Sequence, residues 1–128
     1  MSETKIGTVG WMDLTVEHAE GVRDFYSAVV GWEAHGVDMG GYEDFAMGPP
    51  GGGGVAGVCF SRGSNAEIFE KVGAAWLIYV VVESVDDALT ACEANGGELL
   101  VGPREMPGHR YAVLRDPAGA AMAVIQSV

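Results

Sequence analysis

The chain is written twice. Laying Trp11 over Trp76, an offset of 65, brings Val16 over Val81, Gly31 over Gly96 and Glu33 over Glu98. The paired segments WMDLTVEHAEGVRDFYSAVVGWE (11–33) and WLIYVVVESVDDALTACEANGGE (76–98) share one plan. Each opens with a β-branched and aromatic strand, passes into an amphipathic helix, and stops at a glycine before a new strand. Downstream, YEDFAMGPPGGGGVAGV (42–58) answers YAVLRDPAGAAMAVI (111–125): a tyrosine, a Pro/Gly turn and a strand of small residues. A chain that repeats this order must build two copies of one supersecondary unit.

Each copy reads strand–helix–strand–strand–strand. The expected strands are 7–16, 32–38, 42–47 and 54–61, then 75–83, 97–104, 109–115 and 119–126, with helices at 18–30 and 85–95. In the first helix Ala19, Val22, Phe25, Tyr26, Val29 and Val30 recur at three- and four-residue steps, as one apolar stripe requires. In the second, Ser84 stands at the N-cap with Asp86 and Asp87 in the first turn, where the helix dipole favours negative charge. Gly31 and Gly96 are the helix stops. RGSNAEIFEKVGA (62–74) reads as a connector with room for one helical turn. The expected architecture is α+β: two βαβββ modules, about 5–61 and 75–128, forming a curved, mixed eight-stranded sheet around a cleft, in one domain over 1–128.

A length of 128 residues allows one sizeable core. Seven Lys and Arg against eighteen Asp and Glu give a formal net charge of −11, which repels a phosphate backbone and argues against nucleic acid as partner. No apolar run approaches the ~20 residues of a membrane span, and MSETKIGTVG lacks the apolar core of a secretion signal, so a cytoplasmic address is expected. Cys59 and Cys92 read as reduced thiols rather than a disulfide. GPPGGGG (48–54) has no following Lys-Ser or Lys-Thr and reads as a turn, with no phosphate role.

These segments resemble the vicinal-oxygen-chelate superfamily of glyoxalases, bleomycin-resistance proteins and extradiol dioxygenases. The resemblance rests on DLTVEHAEGVRDFYSAVVGWE (13–33), ESVDDALTACEANGGE (83–98) and RYAVLRDPAGAAMAVIQ (110–126), and it covers nearly the whole chain in order. It implies a cleft that in many members holds a divalent ion, with ligands from the first and last strand of each module. Those positions fall here on Trp11, on Leu77 or Trp76, near Val58 within 56–59, and on Ala123. Slipping the register by one reaches Met12, Met122 or Val124; only Cys59 could donate. Indole and alkyl groups have no lone pair for a metal. No cofactor is therefore expected, and a divalent metal only on non-standard ligands.

Alternation along the strands puts Asp13 and Thr15 on the face of Trp11. It offers Trp76, Ile78 and Val80 from the second module, and Ala121, Ala123 and Ile125 from the last strand. The expected ligand-binding set is Trp11, Asp13, Tyr42, Trp76, His109 and Tyr111, suited to a small, mostly apolar or cationic organic molecule anchored by Asp13. The equal alternative is that the two tryptophans fill the space a metal would take. Glu105 and His109 are the candidate acid/base pair, His18 a surface helix cap, and His35 a solvent-edge partner of Glu33. Two rival functions stay open: a metal-dependent lyase, isomerase or dioxygenase using Asp13, His109 and Glu105, or a non-catalytic module with a filled cleft. The resemblance also implies a homodimer.

Overall fold

The computed structural model describes residues 5–128. They form two compact units. One comprises Met12–Trp76; the other joins the residues up to Trp11 with Leu77–Val128. The elements in chain order are β1 (Val9–Val16), α1 (Ala19–Val30), β2 (Glu33–Asp38), β3 (Glu43–Gly48), β4 (Ala56–Phe60), α2 (Asn65–Val72), β5 (Trp76–Val81), α3 (Val85–Ala94), β6 (Glu98–Met106), β7 (His109–Arg115) and β8 (Ala121–Ser127). The α+β class and the duplicated βαβββ order are as the repeat requires.

In the Met12–Trp76 unit the strand order is β2-β3-β4-β1. β1 and β4 run parallel, with Asp13 opposite Gly57 and Thr15 opposite Cys59; the other pairings are antiparallel. The second unit repeats this as β5-β8-β7-β6, with β5 parallel to β8 and antiparallel ladders beyond. Within it the chain start runs along β5, since the Gly7 N–H donates to the Val81 carbonyl at 2.7 Å and the Val81 N–H to Thr8 at 2.9 Å.

One sheet face in each unit packs on a helix. Leu14, Val16, Phe45, Met47 and Val58 bury with Ala19, Val22 and Tyr26 of α1. Ala112, Leu114 and Val124 bury with Val85, Ala88 and Leu89 of α3. The stripe on α1 is narrower than its spacing implies: Phe25, Val29 and Val30 are exposed. Three- and four-residue steps fit two adjacent stripes of one helix, and only that through Ala19, Val22 and Tyr26 meets the sheet. Gly31 ends α1 at φ 76°, a conformation open to glycine without a Cβ penalty. Ser84 caps α3, its Oγ accepting the Asp87 N–H at 3.1 Å.

The stretch 62–74 holds more than one turn. α2 is an eight-residue helix, with Ile68 buried as its anchor. Cys59 and Cys92 are both free thiols. No helix among the described residues is long and apolar enough to cross a membrane.

Candidate functional site

The faces turned away from the helices carry the chemistry. In the Met12–Trp76 unit, residues opposite one another across the ladders share a face, and one row crosses the sheet as Asp13, Gly57, Ala46 and His35. Beside it Thr15 stands opposite Cys59. Thr15 and Asp44 are the buried polar residues of the unit, Asp44 only 6% exposed. Its Oδ1 accepts the Phe60 N–H at 2.9 Å, and the Cys59 thiol hydrogen-bonds to the same carboxyl. Burial raises the Asp44 pKa above the usual carboxylate value, and these hydrogen bonds pull it part of the way back. Burial, then the nearby Asp13 and Asp44 charges, pushes the Cys59 thiol far up, so it stays protonated.

Tyr42 stands at the rim of this unit. The Arg62 guanidinium lies 4.3 Å above its ring, and Phe60 meets it edge-on at 6.0 Å. Arg62 and Phe60 thus fix its orientation. The glycine loop is a turn between β3 and β4. Its Gly51 N–H donates to the carboxylate of Glu33 at 3.3 Å.

In the other unit the face away from α3 carries Tyr79 and Ala123 as a parallel pair, and Tyr111 opposite Ile125. The Tyr79 and Tyr111 rings lie 6.3 Å apart. Leu77, Tyr79, Val101, Tyr111, Val113 and Ala123 are all buried. His109 shares the Tyr111 side of β7 by alternation, half-buried, with its Nδ1 3.4 Å from the Pro107 carbonyl.

Several expected partners are not brought together. Glu105 stands opposite Arg110, while His109 stands opposite Met106, so the Glu105 carboxylate and the His109 ring leave opposite faces of the hairpin. Glu105 instead accepts from Arg110 at 3.0 Å, and Arg110 also reaches Asp86 of α3 at 2.9 Å. Trp76 faces the helix side of β5, one residue out of step with Leu77 and Tyr79. Its Nε1 donates to the Tyr26 hydroxyl at 3.1 Å, and its ring packs at 5.4 Å from Tyr26 and 6.0 Å from Trp32. Ile78 and Val80 follow Trp76 by alternation, so the residues on the face of Ala123 and Ile125 are Tyr79 and Val81. Val58 likewise belongs to the α1 core, which leaves Gly57 and Cys59 on the opposite face. Trp11 is half-buried on β1, on the same side of the strand as Asp13. His18 occupies the N-cap position of α1 without a side-chain capping bond. His35 Nε2 lies 3.5 Å from Glu33 Oε1, both exposed, as expected of a solvent-edge pair.

The residues at the expected ligand positions do not fit a divalent ion. Trp11 offers an indole, Leu77 and Ala123 offer alkyl groups, and Gly57 offers nothing. Cys59 brings one thiol that burial keeps from ionising. Among the described residues no three His, Cys, Asp or Glu side chains converge as a metal-holding group.

Sequence reasoning passed over Asp44 and Arg104. Asp44 lies in YEDFAM, where strand alternation opposite the buried Phe45 would have placed it on the inner face. Arg104 reaches its face through a strand irregularity that leaves no trace in the pattern.

Comparison with known proteins agrees with this architecture. Anthracycline biosynthesis protein DnrV of Streptomyces peucetius is 31% identical over 133 residues, covering 92% of this chain and 46% of that protein. Anthracycline biosynthesis protein DauV of Streptomyces sp. strain C5 is 29% identical, with the same coverage of 92% and 46%. The chain thus spans about half the length of these relatives. Among solved structures, a methylmalonyl-CoA epimerase in complex with methylmalonyl-CoA and NH4+ matches 97% of this chain and 96% of its own, with TM-score 0.59 and 17% identity. A methylmalonyl-CoA epimerase from Mycobacterium tuberculosis matches 100% and 93%, with TM-score 0.59 and 15% identity. These structures share the fold. The description Glyoxalase/Bleomycin resistance protein/Dioxygenase superfamily matches residues 8–124, and the chain belongs to that superfamily.

Proposed function

We propose that this protein binds a small, flat, mostly apolar organic molecule through the sheet faces turned away from its helices, without the metal that many members of its superfamily use. The observation that carries the reading is the buried face formed by Leu77, Tyr79, Val101, Tyr111, Val113 and Ala123, where alkyl groups and two phenols stand and metal donors would be required. Tyrosines supply flat apolar area with a polar tip, the chemistry that suits a planar ring system bearing oxygens. In the Met12–Trp76 unit Asp13 supplies an anionic anchor for a cationic substituent, with Tyr42 as a further candidate contact; in the other unit Trp11, His109 and Tyr111 are the candidate contacts. The two Streptomyces relatives, both named for anthracycline biosynthesis, support a polycyclic aromatic ligand class.

Titration of the protein with an anthracycline bearing an amino sugar, and with its neutral aglycone, tests this through quenching of tryptophan fluorescence. Saturable one-to-one binding of both, tighter for the amino sugar, is expected, and Asp13→Asn should remove the difference. Absence of saturable binding overturns the reading. So does a stoichiometric divalent metal in the purified protein, which favours a metal-dependent enzyme. Membership of the superfamily also supports a homodimer; sedimentation equilibrium checks it.

A further inference from the structure

The chain contains two asparagines, Asn65 and Asn95, and only the second is followed by glycine. Asn95 is the C-cap of α3. The Gly97 N–H donates to the Cys92 carbonyl at 2.9 Å and the Gly96 N–H to the Glu93 carbonyl at 3.4 Å, the two bonds of a Schellman cap. Gly96 holds φ +91°, a conformation that side chains rarely adopt, so the cap itself requires glycine after Asn95.

This step sets an electrophile beside an unhindered nucleophile. The Asn95 side chain is exposed, and the Gly96 backbone nitrogen has no adjoining Cβ to shield it. At 3.4 Å the Gly96 N–H makes the longest hydrogen bond of the cap, so little holds it. The Asn95 ψ of 21° keeps that nitrogen turned away from the side-chain Cγ, and Nδ2 donates to the Ala91 carbonyl at 2.8 Å. Ring closure therefore follows fraying of the last turn of α3, and helix ends open readily. Asn65 is half-buried at the start of α2, with Ala66 after it.

We propose that Asn95 is a spontaneous deamidation site whose conversion undoes the cap of α3. The Gly96 nitrogen bonds to Asn95 Cγ, the Cγ–Nδ2 bond breaks, and Nδ2 leaves as ammonia with the proton that Gly96 gives up through solvent. The cyclic imide then adds one water at either carbonyl and opens to aspartate or to isoaspartate, whose main chain runs through Cγ. Both products weaken the cap. A carboxylate at 95 loses the donor to Ala91 and faces the negative end of a helix whose last turn holds no basic residue. Isoaspartate also lengthens the backbone beside Gly97, where even a Cβ would come within 2.6 Å of Cys92 Sγ and 2.8 Å of the Arg115 carbonyl.

Incubation of the folded protein at mildly alkaline pH, beside the same chain in urea, tests this by peptide mapping and isoaspartyl methyltransferase labelling. Asn95 should convert at least about tenfold faster than Asn65 in the folded protein. Its rate there should fall within about tenfold of the rate in urea, as a fraying helix end predicts. Asn95→Gln should stay unmodified, and Asn95→Asp should melt about 3 °C below the wild type. An Asn95 that stays intact in the folded protein while the urea sample converts overturns the proposal. Wild-type melting of Asn95→Asp overturns the loss of the cap.

Discussion

The Nε1 of Trp76 donates a hydrogen bond to the hydroxyl of Tyr26 at 3.1 Å, joining the first residue of β5 to the middle of α1. Trp32 closes the group, 5.9 Å from Tyr26 and 6.0 Å from Trp76. Three aromatic rings, from α1, the link between α1 and β2, and the first residue of β5, thus form one half-buried wedge on the helix side of the Met12–Trp76 unit, which is a packing role.

Removing either end of that bond leaves a partly buried polar atom without its partner. Tyr26→Phe should cost about 1 kcal/mol in urea unfolding, and Trp76→Phe somewhat more because it also loses ring area. The double variant should cost less than the sum of the two, by about 0.5 kcal/mol or more. Additive losses would show that the bond contributes nothing.

Cys59 should resist alkylation in the folded protein. Its thiol is held protonated by burial and by the acidic side chains nearby, and the thiolate is the nucleophile. Iodoacetamide at neutral pH should therefore modify Cys92 first and reach Cys59 only in denaturant. Mass spectrometry of the digested protein reads the order.

Asp44 makes stability depend on pH in an uncommon direction. Burial raises its folded pKa above the ordinary value of 3.8. The contribution is therefore fully present below that value and is lost as the pH climbs through the raised one. Asp44→Asn keeps the acceptor for the Phe60 N–H and removes the titration. Between about pH 4 and pH 7 the wild type should lose stability relative to this variant. Parallel unfolding curves across that range would refute the assignment.

Gly102→Ala should cost about 1–2 kcal/mol, because alanine at a positive φ is strained and its Cβ presses on the Tyr111 carbonyl.

The duplicated module was legible because its helices and glycine stops recur in order, and Gly31 and Ser84 behave as local chemistry requires. The face of Trp76 was not legible. AAWLIYVVV (74–82) is apolar on both sides of β5, so alternation gives no sign of which residues point inward, and a slip of one exchanges Trp76 for Leu77. α2 was missed as a full helix although Ile68 and Val72 lie four residues apart, because the charged residues between them read as a linker. Glu105 and His109 looked adjacent in GPREMPGHR (102–110), but their distance along the chain does not reveal that the hairpin sends them to opposite sides.

Within β6, charge sign and chain length are coupled. Arg104 and Glu105 are neighbours of opposite charge on alternate sides of the strand. Deleting one residue from the irregular stretch before them would rotate both by half a turn, turning the carboxylate toward Tyr111 and the guanidinium toward α3. A single-codon deletion there would thus exchange the sign of charge that each face of the hairpin presents, with neither Arg104 nor Glu105 substituted.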